Sequence, residues 1–262
     1  MCRCGAPWLR PWQRWRRCGV GELRPYWQSA DGALTVYHAP CEAVIASVLP
    51  VREVALVHAD GPYGIDYQPV RGCARGLGSG PRHVLPKVEG DDKPFDPAHL
   101  LALDRPTVLW GANHFAPRVP ESPSWILWDK REDTGSDTQA DGELAWTNLG
   151  GPLRIFRHLW RGALRASERG ARTIGATQKP EALSVYVFQR AKLKRGDLVF
   201  VPYLGSGPDL AVSQAMGLRL IACEVKRKII DEALSARLGA ITADRAAEPC
   251  GPLFAAVEPV RK

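Results

Sequence analysis

Leu198-Val199-Phe200-Val201-Pro202-Tyr203-Leu204-Gly205-Ser206-Gly207-Pro208-Asp209 reads as a short apolar strand, a glycine turn and the opening of a helix. Its surroundings repeat that alternation. A helix is predicted from Pro180 to about Leu193, the strand over Leu198–Pro202, and a helix over Asp209–Met216. A strand over Arg219–Glu224 and a helix over Lys228–Leu238 follow. Pro180 suits a first helical turn, and Gly196, Gly217 and Gly239 suit helix ends. Helix and strand in alternation imply a mostly parallel sheet with helices on both faces, a Rossmann-like α/β fold.

The earlier part of the chain fits the same sheet. Leu34–His38, Glu53–His58, Thr107–Trp110, Trp125–Trp128 and Glu143–Trp146 are strand-like, and Cys41–Leu49 suggests one or two helical turns. Residues 66–99, rich in Gly, Pro and basic groups and without periodicity, read as a long loop. Its Gly78-Ser79-Gly80 follows no strand and is a decoy. The acidic stretch with Asp129, Glu132, Asp133, Asp137 and Asp141 reads as a solvated loop.

Composition bounds the function. The chain has 262 residues, 45% hydrophobic and 24% charged, which fits one large globular domain and excludes a wholly disordered one. No apolar run approaches the roughly 18 residues of a bilayer span, and the N-terminus lacks the apolar core of a secretory signal. Seven Cys in no paired framework fit a reducing cytoplasm. Cys2, Cys4 and Cys18 lack the spacing of a structural zinc site, and no metal is expected.

The net charge of +7 is concentrated in two places. Residues 1–28 carry six Arg against Glu22, together with Trp8, Trp12, Trp15 and Trp27. Pro7, Pro11, Gly19, Gly21 and Pro25 break any helix there, so residues 1–31 read as a loose basic arm, or in part as residues ahead of the true start. The second basic segment is Arg154, Arg157, Arg161, Arg165, Arg169 and Arg172, at helical spacings of 3, 4, 4, 4 and 3. Gly162 argues against a full helix. Basic segments on a slightly acidic body suggest a polyanionic partner, although an Arg-rich composition also follows from any GC-rich gene.

Two strand ends carry chemistry. Glycines in the Tyr203–Gly207 turn let a ligand approach the backbone, and the helix start favours negative charge. Seventeen residues beyond Gly207, Glu224 closes the next strand, where a carboxylate can accept ribose hydroxyls. The turn lacks the Lys-Ser/Thr of a phosphate loop and the third Gly of a dinucleotide fingerprint, so an adenosyl ligand without pyrophosphate fits it best. The other strand end is Asp60-Gly61-Pro62-Tyr63-Gly64, expected to face the same crevice.

Ahead of the Pro180 helix stands Ala176-Thr177-Gln178-Lys179-Pro180-Glu181. With that motif the sequence resembles the β-group DNA amino-methyltransferases, phage-type. Asp60-Gly-Pro-Tyr is similar to their Asp-Pro-Pro-Tyr motif, and Thr177-Gln-Lys-Pro with Tyr203-Leu-Gly-Ser-Gly to their cofactor half. Trp110-Gly-Ala-Asn, Trp128-Asp-Lys and Glu143-Leu-Ala-Trp add to the likeness, which covers about Gly32 to Leu238. The resemblance implies a catalytic half at 32–150, a short recognition segment at 150–175, a cofactor half at 176–240 and a tail at 241–262.

It also implies transfer of a methyl group from S-adenosylmethionine to the exocyclic amine of adenine or cytosine in DNA, by a cytoplasmic protein, bacterial or phage-encoded, that is nucleoid-associated when bound to DNA. Asp60 and the Gly61 carbonyl would hold the amine, Pro62 belongs to the same motif, and Tyr63 would stack on a flipped base. Thr177, Gln178, Lys179, Tyr203, Gly205, Ser206, Gly207, Asp209 and Glu224 would hold the cofactor. Arg157, Arg161 and Arg165 would contact DNA phosphates, in one subunit or a homodimer. The motifs are frayed: Gly61 replaces a Pro, Val201 replaces an Asp, and Pro208-Asp209 replaces Thr-Thr. An inactive DNA-binding relative or partner subunit is the alternative.

Overall fold

The computed structural model describes residues 23–67, 87–134, 140–161, 164–171, 173–174 and 177–244. Its strands are β1 (Trp27–Gln28), β2 (Leu34–His38), β3 (Val54–Ala59), β4 (Thr107–Trp110), β5 (Trp125–Asp129), β6 (Gly142–Thr147), β7 (Arg154–Arg157), β8 (Trp160–Arg161), β9 (Leu164–Arg165), β10 (Leu198–Val201) and β11 (Arg219–Glu224). The α-helices are α1 (Cys41–Ser47), α2 (Ala98–Leu101), α3 (Glu181–Arg190), α4 (Pro208–Met216) and α5 (Arg227–Asp244).

Nine strands form one sheet in the order β1-β2-β11-β10-β3-β4-β6-β5-β7. The run β2-β11-β10-β3-β4 is parallel throughout, and β6 enters antiparallel between β4 and β5. The side chains of β10 show why both faces are covered. Val199 and Val201 join a cluster with Leu183, Phe188, Leu210 and Ile230 from α3, α4 and α5. Leu198 and Phe200 join another with Val44 of α1 and Leu100 of α2. Strict alternation of pleated residues divides one apolar strand between two cores. The expected Rossmann-like, mostly parallel sheet with helices on both faces is what forms.

The connections locate the crevice. From β10 the chain crosses through α4 to β11, on one side; from β3 it proceeds to β4, on the other. β10 and β3 are adjacent, so their carboxyl ends open at a point where the winding reverses, the usual place for a ligand in an open α/β sheet.

Several expectations are corrected. Pro180 lies outside α3 at its N-cap in extended conformation, and the helix stops at Arg190, with Lys192 left-handed at φ 56°. The backbone N–H of Leu193 then bonds the Phe188 carbonyl, closing the end without glycine. Gly239 does not end the last helix, which runs on to Asp244. Residues 23–31 are not a loose arm, because Trp27–Gln28 pairs antiparallel with β2. The Arg157 region is a strand, not a helix face: β7 pairs parallel with β5, and β8 and β9 form a small hairpin. On β7 Phe156 alone is buried, and Arg154, Ile155 and Arg157 are exposed. Residues 1–22, the decoy at 78–80 and Arg172 lie outside the described residues.

Candidate active site

The carboxyl ends of β3 and β10 open into a cavity of about 1800 Å³. That exceeds the roughly 300–1000 Å³ that encloses one drug-sized ligand, so there is room for two. Asp60, Gly61, Pro62 and Tyr63 line it, and so do Thr177, Gln178, Lys179, Tyr203, Gly205, Ser206, Asp209 and Glu224. The two strand ends expected to share a crevice do share one. Gly207 does not line it: at φ 71° it is the N-cap of α4, and a Cβ there would press on Ala233 and Leu210 at 3.0 and 3.1 Å. Its glycine serves the turn and the packing of α5.

At the centre is a network of charges. Lys179 Nζ lies 2.8 Å from Asp60 Oδ2 and 2.9 Å from Glu143 Oε2, with the Tyr63 hydroxyl at 3.2 Å. Its three protons thus have three acceptors. Lys130 approaches the other Glu143 oxygen at 2.9 Å. The Tyr63 hydroxyl is 2.8 Å from Asp60 and 3.0 Å from Glu143. Two carboxylates and two ammonium groups balance, which burial demands. Burial opposes the charge on Glu143, yet Lys179 and Lys130 outweigh it and lower its pKa to about 2. Burial likewise opposes the Lys179 charge, but Asp60 and Glu143 raise its pKa above the ordinary lysine value. The Tyr63 hydroxyl is pushed up by burial and by both carboxylates.

The loop that carries Asp60 is fastened from a distance. Asp91, buried, accepts backbone N–H groups of Tyr63 and Gly64 at 2.8 Å each on one oxygen, and that of Tyr67 at 2.6 Å on the other. Gly111, left-handed at φ 70°, leaves room for the Tyr63 ring, which a Cβ would meet at 2.2 Å. The ring's stacked neighbour is His114, at 5.5 Å. At Gly61 a Cβ would lie 2.8 Å from the Tyr203 ring, so Tyr203 occupies the space a proline ring would need. Gly61 and Tyr203 are therefore a matched pair.

The cofactor half is equally particular. Gly205 at φ 52° has open space where a Cβ would stand. Glu224 accepts the backbone N–H of Gly205 at 3.3 Å and that of Lys226 at 2.9 Å, which holds its carboxylate at the rim of the turn. Asp209 is buried and accepts from His58 Nδ1 at 3.0 Å, while Trp110 Nε1 donates to His58 Nε2 at 2.9 Å. The Trp110 bond fixes the neutral tautomer with the proton on Nδ1. Asp209 thus ties α4 to β3 and β4. Gln178 braces its own loop by accepting the Ile174 N–H at 2.9 Å, and Thr177 is exposed on the cavity wall.

The three arginines do not act as an even row. Arg157 sits 3.6 Å from Asp129 and lines a separate hollow with Asp133 and Asp141. Arg161 donates to the Thr134 carbonyl at 3.2 Å. Only Arg165 of the three lines the main cavity, with its guanidinium 4.3 Å from the centre of the Trp160 ring.

The sequence alone assigns no role to Asp91, Lys130, Glu143 or His58. Lys130 and Glu143 are within its sight, since they belong to Trp128-Asp-Lys and Glu143-Leu-Ala-Trp. Among the described residues, no helix is long and apolar enough to cross a membrane.

No family model matches the chain. Among solved structures it is similar to the M1.HpyAVI-SAM complex, at 16% identity and TM-score 0.47, covering 78% of this chain and 98% of that one. M1.HpyAVI alone gives 13% identity and TM-score 0.42 over 78% and 99%. TTHA0409 of Thermus thermophilus, a candidate DNA modification methylase, gives 15% identity and TM-score 0.43 over 76% and 91%. These likenesses are remote, and the residues of the cavity carry the functional reading.

Proposed function

We propose that this chain transfers a methyl group from S-adenosylmethionine to the exocyclic amine of adenine or cytosine in DNA. One observation carries the reading. The Asp60 carboxylate and the Gly205–Glu224 cradle open onto one cavity at the switch point of the sheet, with room for a cofactor and a base. The donor set fits the cofactor: an open glycine at Gly205 admits close approach, and Glu224 offers carboxylate oxygens to ribose hydroxyls. When bound, the cofactor supplies a methyl group on a positively charged sulfur.

The chain's own residues then prepare the nucleophile. An exocyclic amine shares its lone pair with the ring and attacks poorly until its protons are held. Asp60 accepts one N–H and the Gly61 carbonyl a second, which turns the lone pair toward the methyl carbon. Gly205 and Glu224 would hold the cofactor whose sulfur gives up the methyl to the amine nitrogen, and Asp60 would take the amine proton released. Lys179 and Tyr63 fix the carboxylate in advance, so little reorganisation remains for the reaction itself. Asp60 is partly exposed and each carboxylate oxygen has two acceptor positions, so bonding to Lys179 leaves capacity toward the cavity.

Arg165 on Trp160 at the cavity wall is the arginine best placed for a DNA phosphate; the Arg157 and Arg161 contacts are outlying members of the same proposed surface. The short recognition segment leaves room on a duplex for a second copy of the chain. Calorimetry of the full chain with S-adenosylmethionine and S-adenosylhomocysteine tests the cofactor. Saturable binding, weakened by Glu224→Ala, is expected. Absence of heat at millimolar ligand would contradict the reading.

A further inference from the structure

We propose that Cys41, Glu42 and His99, with the Tyr203 hydroxyl at a fourth corner, form a binding site for a divalent cation of the zinc type in the cavity wall. The site is separate from the Asp60 network and stands whether or not methyl transfer does.

The distances suit such an ion. Cys41 Sγ is 3.5 Å from His99 Nε2 and 3.5 Å from Glu42 Oε2. The Tyr203 hydroxyl is 3.6 Å from the sulfur and 3.0 Å from the same imidazole nitrogen. The sulfur, nitrogen and carboxylate ligand atoms all lie within 4.8 Å of one another. A tetrahedral zinc ion with bonds of about 2.3 Å to sulfur and about 2.0 Å to nitrogen or oxygen needs donor separations of about 3.3–3.6 Å. The measured edges from the sulfur match, the His99–Tyr203 edge is slightly short at 3.0 Å, and the Glu42 carboxylate lies within 4.8 Å of the imidazole nitrogen.

The imidazole is turned the right way. His99 Nδ1 lies 3.2 Å from the Asp96 carbonyl, an acceptor that can only receive a proton. Nδ1 therefore carries the hydrogen, and Nε2 aims its lone pair at the cluster. That is the outer bond that orients a metal-binding histidine.

Charge agrees with geometry. One thiolate and one carboxylate neutralise a dication, so this half-buried site needs no further counterion. Without a cation, burial and the adjacent Glu42 push the Cys41 thiol well above its usual range. Cation binding forms the metal–sulfur bond and releases the thiol proton to solvent. Thiolate with imidazole selects a soft or borderline ion over magnesium or calcium. Phe95 packs edge-on against both the His99 and Tyr203 rings, at 6.2 and 6.1 Å, and gives the site an apolar wall.

The ion would clamp three segments: the first turn of α1, helix α2 and the turn after β10. Tyr203 is also the ring that fills the space beside Gly61. Occupancy would therefore hold the floor beneath the Asp60 loop in one position.

The test is cobalt(II) titration of the full chain after chelator treatment, read by absorption. Cys2, Cys4, Cys18, Cys73, Cys223 and Cys250 are also present, so variants must locate the ion. The expected result is a saturating thiolate-to-cobalt charge-transfer band with tetrahedral visible bands. Cys41→Ser should lose the charge-transfer band, and His99→Gln should weaken affinity about tenfold or more. No band in the wild-type protein, or a band that survives Cys41→Ser, overturns the proposal. If Cys41→Ser does not fold, His99→Gln decides: that side chain is half-buried, and unchanged cobalt affinity in it overturns the site.

Discussion

Lys179 Nζ and Asp60 Oδ2 are 2.8 Å apart, across 119 residues of sequence. The contact joins the two halves of the chain at the point where chemistry is proposed. It also gives the Thr177-Gln-Lys-Pro motif a physical role, which is to set the carboxylate before a base arrives. Replacing Lys179 with Met leaves Asp60 and Glu143 facing each other without the shared cation. Removing one partner of a buried charge pair costs about 3–5 kcal/mol. Denaturant unfolding of Lys179→Met should show a loss of that order, and Lys179→Arg a smaller one. Equal stability of Lys179→Met and wild type would mean that the network is not formed in solution.

Glu143 gives the acid side of the same network. Its pKa is lowered from 4.5 to about 2. A depressed carboxylate adds stability that is fully present above its unfolded value and is lost as pH falls through the folded one. The wild-type protein should therefore lose stability between about pH 4.5 and 2, and Glu143→Gln should flatten that acid limb. For Lys179 the sign reverses: its contribution is full below the ordinary lysine value and is lost as pH rises from there through the raised one. Unfolding midpoints measured across pH check both limbs. An acid limb unchanged in Glu143→Gln would count against the assignment.

Asp91 is a positioning residue. It receives the backbone of Tyr63, Gly64 and Tyr67, and leaving buried N–H groups without an acceptor costs about 1–3 kcal/mol. Asp91→Ala should destabilise the chain by that order and abolish methyl transfer, while S-adenosylhomocysteine binding is kept. Asp91→Asn, which keeps one acceptor oxygen, should fall between. If Asp91→Ala transfers methyl groups at the wild-type rate, the loop does not depend on this fastening.

The β10–α4–β11 alternation is legible in the sequence because each element has its own period and a glycine or proline at its border. The shared crevice follows from two strand ends. Asp91 is not legible, since it sits in an aperiodic stretch and acts through backbone groups 24 to 28 residues away. The even arginine spacing misleads because Arg154 and Arg157, three residues apart, fall on opposite faces of the strand β7, whereas a helical count puts them on one face. The departure at Gly61 looks like decay until the Tyr203 ring is seen in the space it leaves.

Asp209 offers a separate check. If its carboxylate holds His58, Asp209→Ala leaves the buried Nδ1 proton without an acceptor and should cost about 1–3 kcal/mol. Double replacement with His58→Phe should recover part of that loss in a mutant cycle. Full additivity would show the two residues uncoupled.

The most direct measurement is transfer of labelled methyl from S-adenosylmethionine to DNA, by wild-type protein and by Asp60→Ala. Wild type should place the label on an exocyclic amine of adenine or cytosine. Asp60→Ala should abolish transfer while retaining cofactor and DNA affinity. A wild-type chain that binds DNA and transfers no label to any sequence would contradict the account, as would an Asp60→Ala variant that transfers at the wild-type rate.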